Sequence, residues 1–168
     1  NGVLGEIPGG VLTGDGTLLE KDTWNWGEWN PRTGDADNGL EMIRTVTALR
    51  RGAGKDYLVY GRMMRPARVE QISVMEWEYK GKRQAIAAVF HSAWQNPQGR
   101  FAVTLANWTE DRQTVHIQDQ RLTRQVREII SGVEMTESLR ESVGGELTVD
   151  LPTLSIALIE NSANPEER

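Results

Sequence analysis

Near residue 55 the sequence changes its period, and that change constrains the fold more than any other feature. Before it, "DNGLEMIRTVTALRRGAG" places Leu40, Ile43, Val46 and Leu49 at three-residue steps with Met42 beside them, one apolar stripe of a helix. Asn38 is placed to cap the first turn, and Glu41 completes a capping-box-like pattern. Gly52 suits a left-handed residue past the last turn, while Arg50 and Arg51 complement the C-terminal dipole. From Tyr57 onward the apolar residues alternate instead. Phe101, Val103 and Leu105 fall on one strand face, as do Val115 with Ile117, and Leu147 with Val149 and Leu151. Turn formers separate these runs: Gly81, then "NPQG" with Pro97 and Gly99 at its second and fourth positions, then "TEDR". "VEQISVMEWEYK" with "RQAIAAVFHSAW", and "RFAVTLANW" with "RQTVHIQ", are predicted hairpins. The prediction is a mainly β fold, an antiparallel β-sandwich of about seven to nine strands preceded by a loop-rich segment and one α-helix.

Three segments follow from this reading. Residues 1–54 hold the loop-rich stretch and the helix, 55–160 the sandwich, and 161–168, "NSANPEER", a frayed tail. At the seam, "KDYLVYGRMMRPARVE", Tyr57, Leu58 and Tyr60 are expected to anchor a first strand. Gly61 would let it bend and Pro66 would end its pairing at an edge.

A chain of 168 residues is long enough for one real hydrophobic core. Its net charge of -5, without a concentrated Lys/Arg block, argues against a nucleic-acid partner. Its apolar runs are too short to cross a bilayer as helices, so no membrane partner is expected. The absence of cysteine removes disulfides, thiolate metal sites and cysteine nucleophiles together. It leaves the compartment open, a bacterial secreted or periplasmic location included. The first residue is Asn1 rather than Met, and the natural N-terminus is expected upstream of it.

The chemistry-bearing residues form no familiar constellation. The sequence lacks a nucleophile elbow, a phosphate-binding glycine loop, a dinucleotide fingerprint and a paired-histidine zinc helix. His91 and His116 each stand inside a strand pattern and read as polar residues on a sheet face, since a base needs an oriented partner and a metal needs further ligands. "GDADNG", with Asp35 and Asp37, has its glycine in the wrong register for a calcium loop and suits a helix N-terminus better. No metal and no cofactor is expected. Glu6, Asp15, Glu20, Asp22 and Glu28 join those two aspartates in the N-terminal segment, and paired carboxylates are what glycoside hydrolysis needs. Only their separation in space decides their use.

"WNWGEW" concentrates Trp24, Trp26 and Trp29 around Glu28 in loop-like sequence. Trp24 and Trp26 fall on one side of an extended segment, where their faces could stack on a pyranose or plug a gap in the packing. Trp77, Trp94 and Trp108 lie in or beside strands and read as packing residues. "NWT" at Asn107–Thr109 matches a glycosylation sequon, but an Asn at a strand end that satisfies turn backbone is the more economical account.

"LEMIRTVTALRRGAGKDYLVYGRMMRP" resembles the end of the catalytic barrel in bacterial glycoside-hydrolase-like proteins of the α-galactosidase type, a largely uncharacterised group. There a last barrel helix leads through an extended segment into a C-terminal β-sandwich. "AVTLANWTEDRQTVHI" looks like that sandwich's strand, Asn-containing corner and return strand, and "VREIISGVE" with "GELTVDLPTLSIALIE" like its closing strands. The resemblance spans roughly residues 38–160. It transfers no nucleophile and no acid/base residue to any position here, and the segment before residue 55 is far shorter than the ~250 residues of such a barrel.

The resemblance implies a non-catalytic accessory domain whose partner is an upstream catalytic barrel of the same protein. The alternative is a carbohydrate-binding module that holds glycan by tryptophan stacking at Trp24, Trp26 and Trp29 with Glu28. A third reading is an independent glycoside hydrolase working through loop carboxylates.

Overall fold

Two helices and eleven strands are seen among residues 36–79 and 81–162, the part of the chain that the computed structural model describes. The helices are α1 (Ala36–Arg51) and the single turn α2 (Lys55–Leu58). The strands are β1 (Arg62–Met64), β2 (Arg68–Glu70), β3 (Val74–Tyr79), β4 (Lys82–Ala87), β5 (Val89–Gln95) and β6 (Phe101–Asn107), then β7 (Gln113–Gln118), β8 (Gln125–Ser131), β9 (Met135–Glu141), β10 (Glu146–Leu151) and β11 (Ser155–Asn161). All but a few of these residues belong to one compact unit, Glu41–Arg168.

The strands form antiparallel sheets, as their alternation predicts. A six-stranded sheet runs β1-β5-β6-β11-β8-β9, a three-stranded sheet β10-β7-β2, and β3-β4 stands apart as a two-stranded ribbon. The two larger sheets pack face to face. Phe101, Val103, Leu105, Ala157 and Ile159 of the large sheet meet Val115, Ile117, Leu147, Val149 and Leu151 of the small one in one buried core. These are the faces that period two selects, and each fully buried Leu or Ile contributes about 1.5–3 kcal/mol. The strand count exceeds the expected range because β1 and β2, of three residues each, are too short to show a period.

The central strands of the large sheet, β6 and β11, are buried on both faces. Behind the sandwich core, Leu49 of α1 and Tyr57 of α2 pack with Ala102, Ile129, Ile156 and Leu158 in a second cluster. This explains why β6 and β11 are buried along nearly their whole length rather than at alternate positions. Small side chains at Ala102 and Ala106 give the helices room. Ser131 Oγ donates to the Thr45 carbonyl at 3.1 Å and ties the middle of α1 to β8.

Several local expectations change. The helix starts at Ala36, so Asn38 lies within it rather than before it, and Gly52 does not take a left-handed φ. The seam is not a strand over Tyr57–Tyr60: Lys55–Leu58 turns helically, because Tyr57 buries its ring in the second cluster only if the chain curls back over the sheet. Pairing begins at Arg62. Gly61 is needed for close approach, since a Cβ there would lie 2.8 Å from the Gln95 carbonyl oxygen and closer still to that of Tyr57. The run "RQAIAAVFHSAW" breaks at Ala88, whose N–H donates to the Ser73 carbonyl at 2.8 Å. Its first half pairs with β3 around Gly81 at φ 70°, and its second half joins the large sheet. The expected hairpin across "TEDR" is a corner instead, with β6 in one sheet and β7 in the other.

Candidate functional surface

Asn107 makes that corner. It is fully buried, and its Nδ2 donates to the carbonyls of Asp111 at 2.8 Å and Pro152 at 2.7 Å. Its Oδ1 accepts from the Thr109 N–H at 3.0 Å and the Thr109 hydroxyl at 2.8 Å. Both donors and both acceptor positions are thus used, which joins the β6–β7 and β10–β11 connections. Leu154, at φ 48°, is held beside them by its N–H on the Thr109 carbonyl at 3.0 Å. An Asn so enclosed serves the corner, as the sequence reading of "NWT" favoured.

On the helix-bearing face of the large sheet, cross-strand register sets Trp94, Ala102, Glu160, Arg127 and Leu139 in one row. Glu160 is buried, and Arg127 Nη1 donates to it at 2.8 Å while its other nitrogens hold Glu137 at 2.6 and 2.7 Å. Those hydrogen bonds raise the Arg127 pKa and hold the Glu137 carboxyl below its usual range. The Tyr57 hydroxyl is buried without a hydrogen-bond partner. Burial pushes its pKa up, and the nearby Glu160 charge adds to the rise without a hydrogen bond of good geometry. Trp94 donates its indole N–H to Ser92 Oγ at 2.8 Å, and Ser92 shares a 2.6 Å hydrogen bond with Thr104. The seam lies at the rim of this face and leaves Val59, Tyr60 and Met63 exposed, at 45%, 59% and 65%.

A cleft of about 1280 Å³ opens between the β5–β6 turn and the adjoining ends of β8 and β9. Arg121 lies over the Phe101 ring, 4.2 Å from its centroid, and forks onto Asp119 at 2.8 and 2.5 Å. Burial works to raise the Asp119 pKa, but the hydrogen bonds and charge of Arg121 hold it below its ordinary value. Arg124 pairs with Glu141 at 2.6 Å. These groups spend their hydrogen bonds on one another, which makes the cleft polar and structurally satisfied.

Trp24, Trp26, Trp29 and Glu28, with the acidic residues up to Asp35, lie outside the described residues. His91 sits on the inner face opposite Leu105, where burial lowers its pKa and leaves Nδ1 without a partner. His116 stands on the other sheet beside Thr148 at 3.3 Å and Glu146 at 3.7 Å, so the two histidines do not converge. Among the described residues no group of three His, Asp or Glu gathers closely enough to hold a metal ion. Trp108 packs, as read from the sequence: it donates to the Ala87 carbonyl at 2.7 Å and stacks on Phe90 at 6.4 Å. The Arg127–Glu160 pair was missed; a Glu inside the apolar run "LSIALIE" was its signal.

No family model and no curated protein matches this sequence. Among the solved structures similar to it are glycoside hydrolases. A GH30 endoxylanase from Clostridium papyrosolvens C71 aligns over 48% of this chain and 22% of its own, at 18% identity and a TM-score of 0.41. CelM2, a bifunctional glucanase-xylanase from a metagenome library, aligns over 49% and 18%, at 18% identity and 0.42. The GH51 arabinofuranosidase from Xanthomonas axonopodis pv. citri aligns over 52% and 21%, at 18% identity and 0.39. The chain thus spans well under two thirds of each of these enzymes. At these scores no activity is carried over from them.

Proposed function

We propose that this chain is a non-catalytic accessory domain, the C-terminal β-sandwich of a larger glycoside-hydrolase-like protein of the α-galactosidase type, with a helix from the junction still attached. Its work is mechanical: it covers apolar surface of an upstream catalytic barrel and steadies it. The carrying observation is the seam. Tyr57 is buried in the sandwich's own second cluster, yet Val59, Tyr60 and Met63 directly after it are exposed on the same rim. A stretch that anchors one side and presents apolar groups on the other suits a junction between two bodies. The order helix, seam, sandwich in the sequence resemblance supports the same reading. So does the employment of the buried carboxylates: Glu160 is held by Arg127 and Glu128 by Arg140 at 2.9 Å, which makes both structural.

The test uses the isolated chain and the longer protein side by side. Tyr60→Ser with Met63→Ser should leave the isolated chain's melting temperature unchanged and lower the thermal half-life of glycosidase activity in the longer protein. Equal half-lives would overturn the reading, as would hydrolysis of aryl glycosides by the isolated chain. Retention of the chain on a glycan affinity gel would favour the binding-module alternative.

A further inference from the structure

We infer that β9 pairs with β9 of a second copy of this chain, antiparallel about a two-fold axis through Ser138, and so continues the large sheet across a dimer. β9 is the outer strand of that sheet, seven residues long, and every one of them is exposed. It pairs with β8 without interruption from Gln125↔Glu141 to Ser131↔Met135, so no bulge twists its free edge away, and it contains no proline. An edge this long and regular is a template for another strand unless something guards it. The opposite edge of the same sheet, β1, is guarded by being three residues long. In the small sheet, Arg140 reaches from β9 to the Thr148 carbonyl of β10 at 3.2 Å and occupies part of that strand's edge.

The charges of β9 do not guard it, because each is turned back on its own subunit. Glu137 is held by Arg127 at 2.6 Å, Arg140 by Glu128 at 2.9 Å and Glu141 by Arg124 at 2.6 Å. What is left outward on the helix-bearing face is apolar: Leu139 is 71% exposed and Met135 48%. The self-pairing is complementary in that register. Ser138 meets Ser138 of the second copy, Glu137 meets Leu139, Thr136 meets Arg140 and Met135 meets Glu141, so no like charges stand directly opposite. Diagonal contacts bring Leu139 against Leu139 and Met135 of the second copy, which covers both exposed side chains. The interface is isologous, as closed two-fold dimers require.

The full chain supplies a clean test because it has no cysteine. Sedimentation velocity at high micromolar concentration should show a species of twice the chain mass, and Leu139→Glu, which sets four carboxylates around the axis, should return it to monomer. Ser138→Cys should cross-link to a covalent dimer under mild oxidation, and Thr136→Cys, displaced from the axis, should not. A monomeric wild-type chain would overturn the proposal and leave the edge to another stretch of chain or a different protein. A dimer unchanged by Leu139→Glu, or equal cross-linking of the two cysteine variants, would overturn it as well.

Discussion

Arg127 Nη1 lies 2.8 Å from Glu160, a carboxylate whose side chain is only 5% exposed. Removing the cation leaves a buried negative charge beside the unpartnered Tyr57 hydroxyl. Arg127→Ala should cost about 2–3 kcal/mol, less than a wholly buried pair because 36% of Arg127 reaches water. The double variant Arg127→Met with Glu160→Met should recover much of that loss, as urea denaturation of both would reveal.

Asn107→Ala removes the four hydrogen bonds of a fully buried side chain, two to the Asp111 and Pro152 carbonyls and two from Thr109. The carbonyls of Asp111 and Pro152 lose their Asn107 donor and keep only the hydroxyls of Thr109 and Ser155, and the two corners are no longer joined. A destabilisation of about 2–3 kcal/mol follows, and Asn107→Asp should fare no better, since it replaces the donating amide with a second acceptor. Thermal melts of the two variants check this.

Tyr57 separates ring from hydroxyl. Its ring fills the second cluster, so Tyr57→Ala should cost about 3–5 kcal/mol. Its hydroxyl is buried without a partner, so Tyr57→Phe should be neutral or stabilising by up to about 1 kcal/mol. A loss on Tyr57→Phe comparable with the Ala variant would contradict the packing described.

His91 makes stability depend on pH. Burial lowers its folded pKa, so below the ordinary imidazole value of about 6.5 the unfolded chain takes up a proton that the folded chain resists. Stability is therefore full above that value and falls as pH drops through it toward the depressed folded pKa. Asp119, lowered by Arg121, adds a second loss further into acid, as pH falls through its folded pKa. The melting temperature of His91→Gln should decline less than wild type between about pH 7 and 5. Parallel curves would assign the acid sensitivity elsewhere.

Alternation at Phe101, Val103 and Leu105, at Val115 and Ile117, and at Leu147, Val149 and Leu151 was enough to name both inner faces of the sandwich, all of which lie in its core. The helix stripe was legible in the same way, since Leu49 is buried and Val46 packs beside it. β9 was not legible: with every residue exposed, neither face imposes a pattern on the sequence. Of the candidate site, the corner role of Asn107 could be read from its place at a strand end. The tryptophan cluster at 24–29 lies outside the described residues.

Local periodicity by itself determined the long helix, the inner faces of β6, β7 and β10 and the turns at Gly81 and Gly99, because those depend on side chains a few residues apart. Tertiary structure alone decided the pairings between strands far apart in the chain. "RFAVTLANW" and "RQTVHIQ" read as a hairpin, yet Asn107 bonds to Pro152, 45 residues away, and sends them into different sheets. It also decided that β6 and β11 are covered on both faces, and that Tyr57 therefore curls into a helical turn to reach that sheet. A strand's own sequence records which side is apolar. What lies against that side depends on contacts far apart in the chain, and no local pattern encodes them.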